Sequence, residues 1–216
     1  MKQPLVIIGA GGFGREVAWL VDEINQRQPT WEFLGLVDDF ASGHTVEGYP
    51  VLGKTEDLVQ MSPRPAVVCA IGDPVTRKKL VRRYAELGFS FATLVHPSVL
   101  RSRYVKIGEG SVICAGTILT TNVSIGAHSI LNLNCKVGHD SVLGPFSSLM
   151  PATNIAGEVR IGEGCYFGLN SCVINRVSVG EWTIIGAGAT VVNDIPSRVV
   201  AVGVPAKPIK TRDVEL

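Results

Sequence analysis

"IGEGSVICAGTILTTNVSIGAHSILNLNCKVGHDSVLGPFSS", residues Ile107–Ser148, carries an aliphatic residue at every sixth position. Ile107, Ile113, Leu119, Ile125, Leu131, Val137 and Leu143 open successive hexads, and the register runs without insertion through fifteen hexads to Pro196. The first position is always Ile, Leu, Val or Phe; the fifth is small or β-branched; the second is often glycine. A period of six fits neither the helical repeat nor simple strand alternation as a face pattern. It fits a parallel β-helix of three short strands per turn, about eighteen residues per coil, and therefore five coils. In that geometry the first-position aliphatics fill the interior and the small fifth positions pack at the corners. The second-position glycines are expected to permit the bend between sides. Each coil is stabilised by its neighbours, so the ends need caps. The segment before the repeat and the tail after Pro196 are expected to supply them.

Upstream of the repeat, strand and helix signals alternate. "LVIIGA" (5–10), "WEFLGLVDD" (31–39) and "AVVCAIG" (66–72) read as strands. "REVAWLVDEINQ" (15–26), with Val17, Leu20, Val21 and Ile24 at helical spacing, and "PVTRKKLVRRYAELG" (74–88) read as helices. The alternation implies a parallel sheet with βαβ crossovers. Two domains are expected: an α/β half of a dinucleotide-binding fold over 1–94, and the solenoid with its tail over 95–216.

The 216 residues are 46% hydrophobic, enough for a sizeable core, and the formal net charge of +1 gives no reason to expect nucleic acid or an anionic membrane as partner. No apolar run reaches the length of a membrane span, and "MKQPLVIIGAGGFG" lacks the long apolar region of a signal peptide, so membrane insertion is not expected and a cytoplasmic location is. Five cysteines, Cys69, Cys114, Cys135, Cys165 and Cys172, sit among apolar residues with no CxxC pair, and read as small buried hydrophobes. No metal site is expected.

Two places carry chemistry. His139-Asp140 interrupts the repeat at the third and fourth hexad positions, where the imidazole should face outward; one coil on, Gly157 leaves room beside it. An imidazole can accept a proton at neutral pH, and a neighbouring carboxylate can orient it. Neighbours on a strand point to opposite faces, so the pair needs a turn, which Gly138 is expected to allow. "GAGGFG" (9–14) fits GxGxxG through Gly9, Gly11 and Gly14 after a strand and before a helix, with Asp38 at the end of the next strand. Such a loop brings backbone close to a diphosphate, and the acid is placed for a ribose hydroxyl. The domain is too short for two mononucleotide halves, so one nucleotide fits. His44, His96 and His128 read as ordinary surface or core histidines.

The hexads resemble those of the left-handed β-helix acyltransferases. The nucleotide-binding-like N-terminal domain, "GHD" (138–140), "IIGAGATVVNDIP" (184–196) and "VGVPAKPIK" (202–210) together resemble the sialic acid and bacterial-sugar O- or N-acetyltransferases, whose members acetylate UDP-amino sugars. The resemblance spans essentially the whole chain. It implies acetyl-CoA as co-substrate, His139 as general base with Asp140, and a nucleotide sugar, UDP-linked, held by Gly11, Gly12, Phe13, Asp38, Asp39 and Gly72. It implies acetyl-CoA along Gly157, Leu169 and Ala187, with Lys207 or Lys210 at its phosphates, and a homotrimer with sites between subunits. Nine residues after the catalytic histidine these enzymes often carry a second histidine near the thioester. Ser148 stands there, able to hydrogen-bond the cofactor but not to act as a second base. No serine or cysteine sits in a nucleophile motif, which favours direct transfer over an acyl-enzyme. Three other functions share some of these features: a sugar O-acetyltransferase, a non-catalytic sugar-nucleotide-binding subunit, and an NAD-dependent oxidoreductase, against which the short N-terminal domain argues.

Overall fold

The computed structural model describes residues 2–41 and 45–215; His44 lies outside them. β1 (Gln3–Ile8) is an inner strand of the N-terminal sheet because its run of β-branched and aliphatic residues can be buried on both faces. It pairs in parallel with β2 (Trp31–Val37) on one side. A short hairpin, β3 (Thr45–Val46) and β4 (Tyr49–Gly53), extends that side, and β5 (Ala66–Cys69) pairs with β1 on the other. The order is β3-β4-β2-β1-β5. α1 (Gly12–Arg27) follows β1 and α2 (Pro74–Glu86) follows β5, as the periodicity predicts. The hairpin and a 3₁₀ turn over Thr55–Gln60 have too little sequence pattern to be anticipated.

The solenoid is a three-sided prism of two-residue parallel strands, each made of the sixth and first hexad positions. One face stacks Leu94–Val95, Val112–Ile113, Ile130–Leu131, Ser148–Leu149, Tyr166–Phe167 and Ile184–Ile185. The second stacks strands from Leu100–Arg101 to Thr190–Val191, and the third from Lys106–Ile107 to Ser178–Val179. Registers advance by one coil, as in Ile118↔Lys136 and Val142↔Arg160. First-position residues from Ile113 to Val191 and fifth-position residues from Ser111 to Ala189 are buried, as the hexad reading requires. The coil before Ile107 also belongs to the prism. Arg101 stands there where an aliphatic residue is expected, and it is exposed.

Two expectations are corrected. The bend is made at the fourth position, not at the second-position glycines. Asn122, His128, Asn134, Asp140, Phe146, Ala152, Glu158, Asn170, Arg176 and Trp182 all sit there with φ between 55° and 63°, the left-handed region. The second-position glycines meet the next coil: a Cβ on Gly138 would lie 2.6 Å from the Ala156 carbonyl carbon. Nor does the N-terminal domain cap an end. It lies on the side of the prism, where Val112, Cys114 and Ile130 join Val17, Ala18, Leu20 and Leu94 in one apolar cluster. The tail does cap the other end: Val199–Val202 pairs with Ile184–Ile185, Lys207–Thr211 folds back on it antiparallel, and Ala201 and Ala206 close the interior.

Candidate functional site

The N-terminal domain shields one face of the prism and reaches both of its edges. At one edge Glu16, Trp19 and Leu20 of α1 meet His96, Cys114, Ala115 and Leu133. At the other, Arg77 of α2 donates to the carbonyls of His128 and Phe146, and Lys78 pairs with Glu163 at 2.5 Å. His139 lies on the third edge, in the turn between the second and third faces, opposite the shielded face. The glycine loop and His139 of one chain therefore sit on different sides of the prism.

At that third edge, His139 Nδ1 is 2.8 Å from Asp140 Oδ2, and the other Asp140 oxygen accepts from Asn122 Nδ2 at 2.7 Å. The turn that lets neighbours meet is at Asp140 itself, with φ +60°, rather than at Gly138. The Asn122 hydrogen bond, and then the His139 bond, hold the Asp140 carboxyl below the usual carboxylate range. The imidazole is 57% exposed, and its Nε2 has no hydrogen-bond partner among the described residues. A Cβ on Gly157 would lie 2.5 Å from that nitrogen. The space that glycine leaves is thus filled by the His139 ring, and Gly157 itself is buried. A polar hollow of about 390 Å³ beside the pair is lined by Asp140, Glu158, Arg160, Arg176 and Ser178.

In the N-terminal domain the loops after β1 and β5 lie side by side at the carboxyl ends of two parallel strands. There the chain crosses from β1 to β2 on one side and β5 pairs on the other, the crevice where open α/β sheets bind ligands. Gly11 and Gly12 are exposed and α1 has no side-chain cap, which leaves its first-turn amides open to an anion. A Cβ on Gly14 would collide with the Gly9 carbonyl, so this glycine serves close helix–strand packing. Phe13 is half-buried. Asp38 accepts from the Ala10 amide at 2.8 Å and from the Phe40 and Ala41 amides at 2.8 and 3.2 Å. It works first as a brace between two loops rather than as the free ribose acceptor the spacing suggests. Asp39 caps the 3₁₀ turn through the Thr55 amide and hydroxyl, which lower its pKa. Beside Gly12 a hollow of about 350 Å³ is lined by Arg15, Glu16, Trp19 and Glu47.

Gly72 opens onto an apolar hollow of about 370 Å³ between the domains, with Asp73, Pro74, Met150, Tyr166, Ile184 and Arg212. Met150, Tyr166, Ile184 and Arg212 are residues that hexad reading does not single out. Tyr166 and Ile184 occupy outward sixth positions on the shielded face, and that column of large apolar residues is their signal. Leu169 and Ala187 are exposed one above the other on the edge shared by the shielded and second faces. Lys207 and Lys210 are exposed on the last strand. Ser148 is a correction. It is 0% exposed, donates to the Gly72 carbonyl at 2.8 Å and accepts from Arg77 Nη2 at 2.9 Å, so its hydroxyl is spent between the domains and offers no surface to a cofactor. His96 and His128 are buried or nearly so, and burial lowers both pKa values. His96 Nδ1 holds Ser98, and the His128 ring lies between Phe91 and Phe146. The cysteines are unpaired, and burial pushes the Cys69, Cys135 and Cys165 thiols up to about 12. Among the described residues no cluster of potential metal ligands is present, and no helix is long and apolar enough to cross a membrane.

Residues 4–84 match the PglD N-terminal domain family. The chain is 28% identical over 211 residues to GDP-perosamine N-acetyltransferase of Escherichia coli O157:H7, covering 94% of this chain and 95% of that one. The crystal structure of PerB from Caulobacter crescentus with CoA and GDP-perosamine is 35% identical and superposes with a TM-score of 0.89 over 96% of this chain and 97% of that one. The acetyltransferase domain of PglB from Neisseria gonorrhoeae, solved with acetyl coenzyme A, is 33% identical with a TM-score of 0.90 over 97% and 100%. The likeness spans both the α/β domain and the left-handed β-helix on whose side it is set, and the chain belongs to the bacterial sugar acetyltransferase family.

Proposed function

We propose that the protein transfers the acetyl group of acetyl-CoA to the amine of a nucleotide-linked amino sugar, with His139 as general base. The observation that carries this reading is the His139 ring, tied at Nδ1 to an ionised Asp140 and open at Nε2. The amine attacks the thioester carbonyl, Nε2 takes the proton that the nitrogen sheds, and the C–S bond breaks as the tetrahedral intermediate collapses. The imidazolium then returns its proton to the departing CoA sulfur. Asp140 favours the imidazolium and fixes the tautomer that leaves Nε2 free to accept. The sugar's nucleotide would lie over Gly11, Gly12 and Phe13 with Gly72 opposite, and acetyl-CoA along Leu169 and Ala187 toward the Lys207 strand. The perosamine N-acetyltransferases named above make GDP-linked sugars the first acceptors to try, beside the UDP-linked ones that the resemblance implies. Because His139 lies opposite its own glycine loop, a complete site takes the loop from one chain and the histidine from another. That arrangement favours a homotrimer.

The test is thiol release from acetyl-CoA against a panel of GDP-, UDP- and dTDP-amino sugars and their counterparts with a hydroxyl in place of the amine. Wild type should turn over one class, and His139→Ala should lose about a hundredfold or more of kcat. Equal rates would remove His139 as the base. Turnover with hydroxyl-bearing sugars alone would make the protein an O-acetyltransferase, and turnover with none would leave a binding subunit.

A further inference from the structure

Arg77 is 1% exposed, yet no carboxylate contacts its guanidinium. Its partners are all neutral oxygens. Nε donates to the His128 carbonyl at 2.8 Å. Nη1 donates to the Ile71 and Gly72 carbonyls at 2.6 and 3.1 Å. Nη2 donates to the Phe146 and Ser147 carbonyls at 2.6 and 3.3 Å and to Ser148 Oγ at 2.9 Å. Ser148 Oγ closes the ring of contacts by donating to the Gly72 carbonyl at 2.8 Å. Removing a guanidinium from water with no carboxylate in contact is costly, the Asp73 charge one turn away acting only at longer range, and an apolar side chain of similar volume would fill the same space without that cost. What an apolar residue could not do is hold carbonyls from two domains in one plane.

The two sets of carbonyls are not equivalent. His128, Phe146 and Ser147 belong to stacked turns at one edge of the prism, a rigid frame. Ile71 and Gly72 belong to the loop after β5, and that loop forms one wall of the hollow whose other wall is Met150, Tyr166 and Ile184 of the prism. With the Ile71 and Gly72 carbonyls turned inward to Arg77 and Ser148, the Gly72 and Asp73 amides have no backbone acceptor among the described residues.

We propose that Arg77, with Ser148, is a positioning residue for acetyl transfer: it locks the Gly72–Asp73 loop to the prism wall, so that a sugar held by the N-terminal domain is presented at a fixed height over the Tyr166–Ile184 hollow. Neither side chain touches substrate; both act through the loop. The inference rests on the reading of this crevice as the nucleotide-sugar site.

Arg77→Lys and Ser148→Ala test it, at a temperature where circular dichroism shows both variants fully folded. Lysine keeps the charge but cannot reach all six acceptors, and Ser148→Ala removes only the bridging hydroxyl. The expected result is a fall of about tenfold or more in kcat/KM for the nucleotide sugar in Arg77→Lys, a smaller fall in Ser148→Ala, and a KM for acetyl-CoA within about twofold of wild type in both. Hydrogen exchange, which needs no turnover, should accelerate in the peptide spanning 70–76 and stay unchanged in the solenoid coils. Wild-type kinetics together with wild-type exchange in the folded variants would overturn the proposal. So would equal losses for both substrates accompanied by faster exchange throughout, the pattern of general loosening. Absence of turnover in the wild type with every sugar would instead overturn the acetyl-transfer reading and the catalytic consequence drawn from it, and the exchange data would still judge the lock.

Discussion

His139 is held by three neighbours, and each is supplied by the solenoid's own repeat. Asp140 takes the left-handed position that every coil needs at its fourth place, so the residue that turns the chain also turns its carboxylate back toward the preceding side chain. Asn122, one coil below in the same column, occupies the second carboxylate oxygen. Gly157, one coil above, leaves the volume the ring fills. Asp140→Asn tests this arrangement. An amide in place of the carboxylate keeps the shape but removes the charge that favours the imidazolium. kcat/KM should fall roughly tenfold or more, and the acid limb of the pH–rate profile should move to lower pH. A carboxylate whose folded pKa is depressed adds stability above its unfolded value and loses it as pH falls through the folded one. The Asp140 contact therefore persists through neutral and mildly acidic pH. A profile unchanged in Asp140→Asn would mean that the carboxylate does not act on His139. The pair was legible from residue types and hexad position, whereas its geometry was not, because sequence marks glycine as the flexible residue and the repeat places the strain on Asp140.

The repeating coil divides its glycines by task. A Cβ on Gly126 would sit 2.6 Å from the Gly144 carbonyl carbon and closer still to the Pro145 nitrogen, both backbone atoms of the next coil. Neither can rotate away as a side chain could. Gly126→Ala should therefore destabilise the protein by about 1–3 kcal/mol, read from guanidinium unfolding. Gly11→Val, at a glycine with extended backbone and nothing within 4 Å of the added Cβ, should leave the unfolding curve in place. Equal stability of Gly126→Ala and wild type would show that coils can slide apart at little cost. The interior of the prism was readable because first and fifth positions obey one rule in all fifteen hexads from Ile107 to Pro196. Its outer faces were not, since a sixth-position residue such as Val112 or Ile130 looks the same in sequence whether it faces solvent or another domain, and only the fold shows that α1 covers them. The first coil falls within the expected 95–216 domain but outside the hexad count, because the exposed Arg101 stands where the pattern asks for an aliphatic side chain.

Across the whole molecule, the edges of the prism decide how many chains a site needs. The N-terminal domain is welded to one face through a shared apolar cluster and the Arg77 contacts, and residues of both its helices meet the edges of that face. It is a rigid attachment rather than a tether, so no hinge among the described contacts carries the glycine loop around to the opposite edge, where His139 stands. On the proposed function, the loop and the histidine that serve one substrate then belong to different chains. Complementation tests this directly. Gly11→Val places a side chain where a diphosphate would approach the α1 amides, and His139→Ala removes the proposed base; on that proposal each alone should be nearly inactive. Unfolded together and refolded as mixed oligomers, they should regain about a quarter of wild-type activity, because one interface in four joins an intact loop to an intact histidine. Mixed without refolding, they should stay inactive for as long as subunits do not exchange. If the two functions were completed within one chain, no mixture could contain an intact site, and activity would stay at the level of the single variants after refolding.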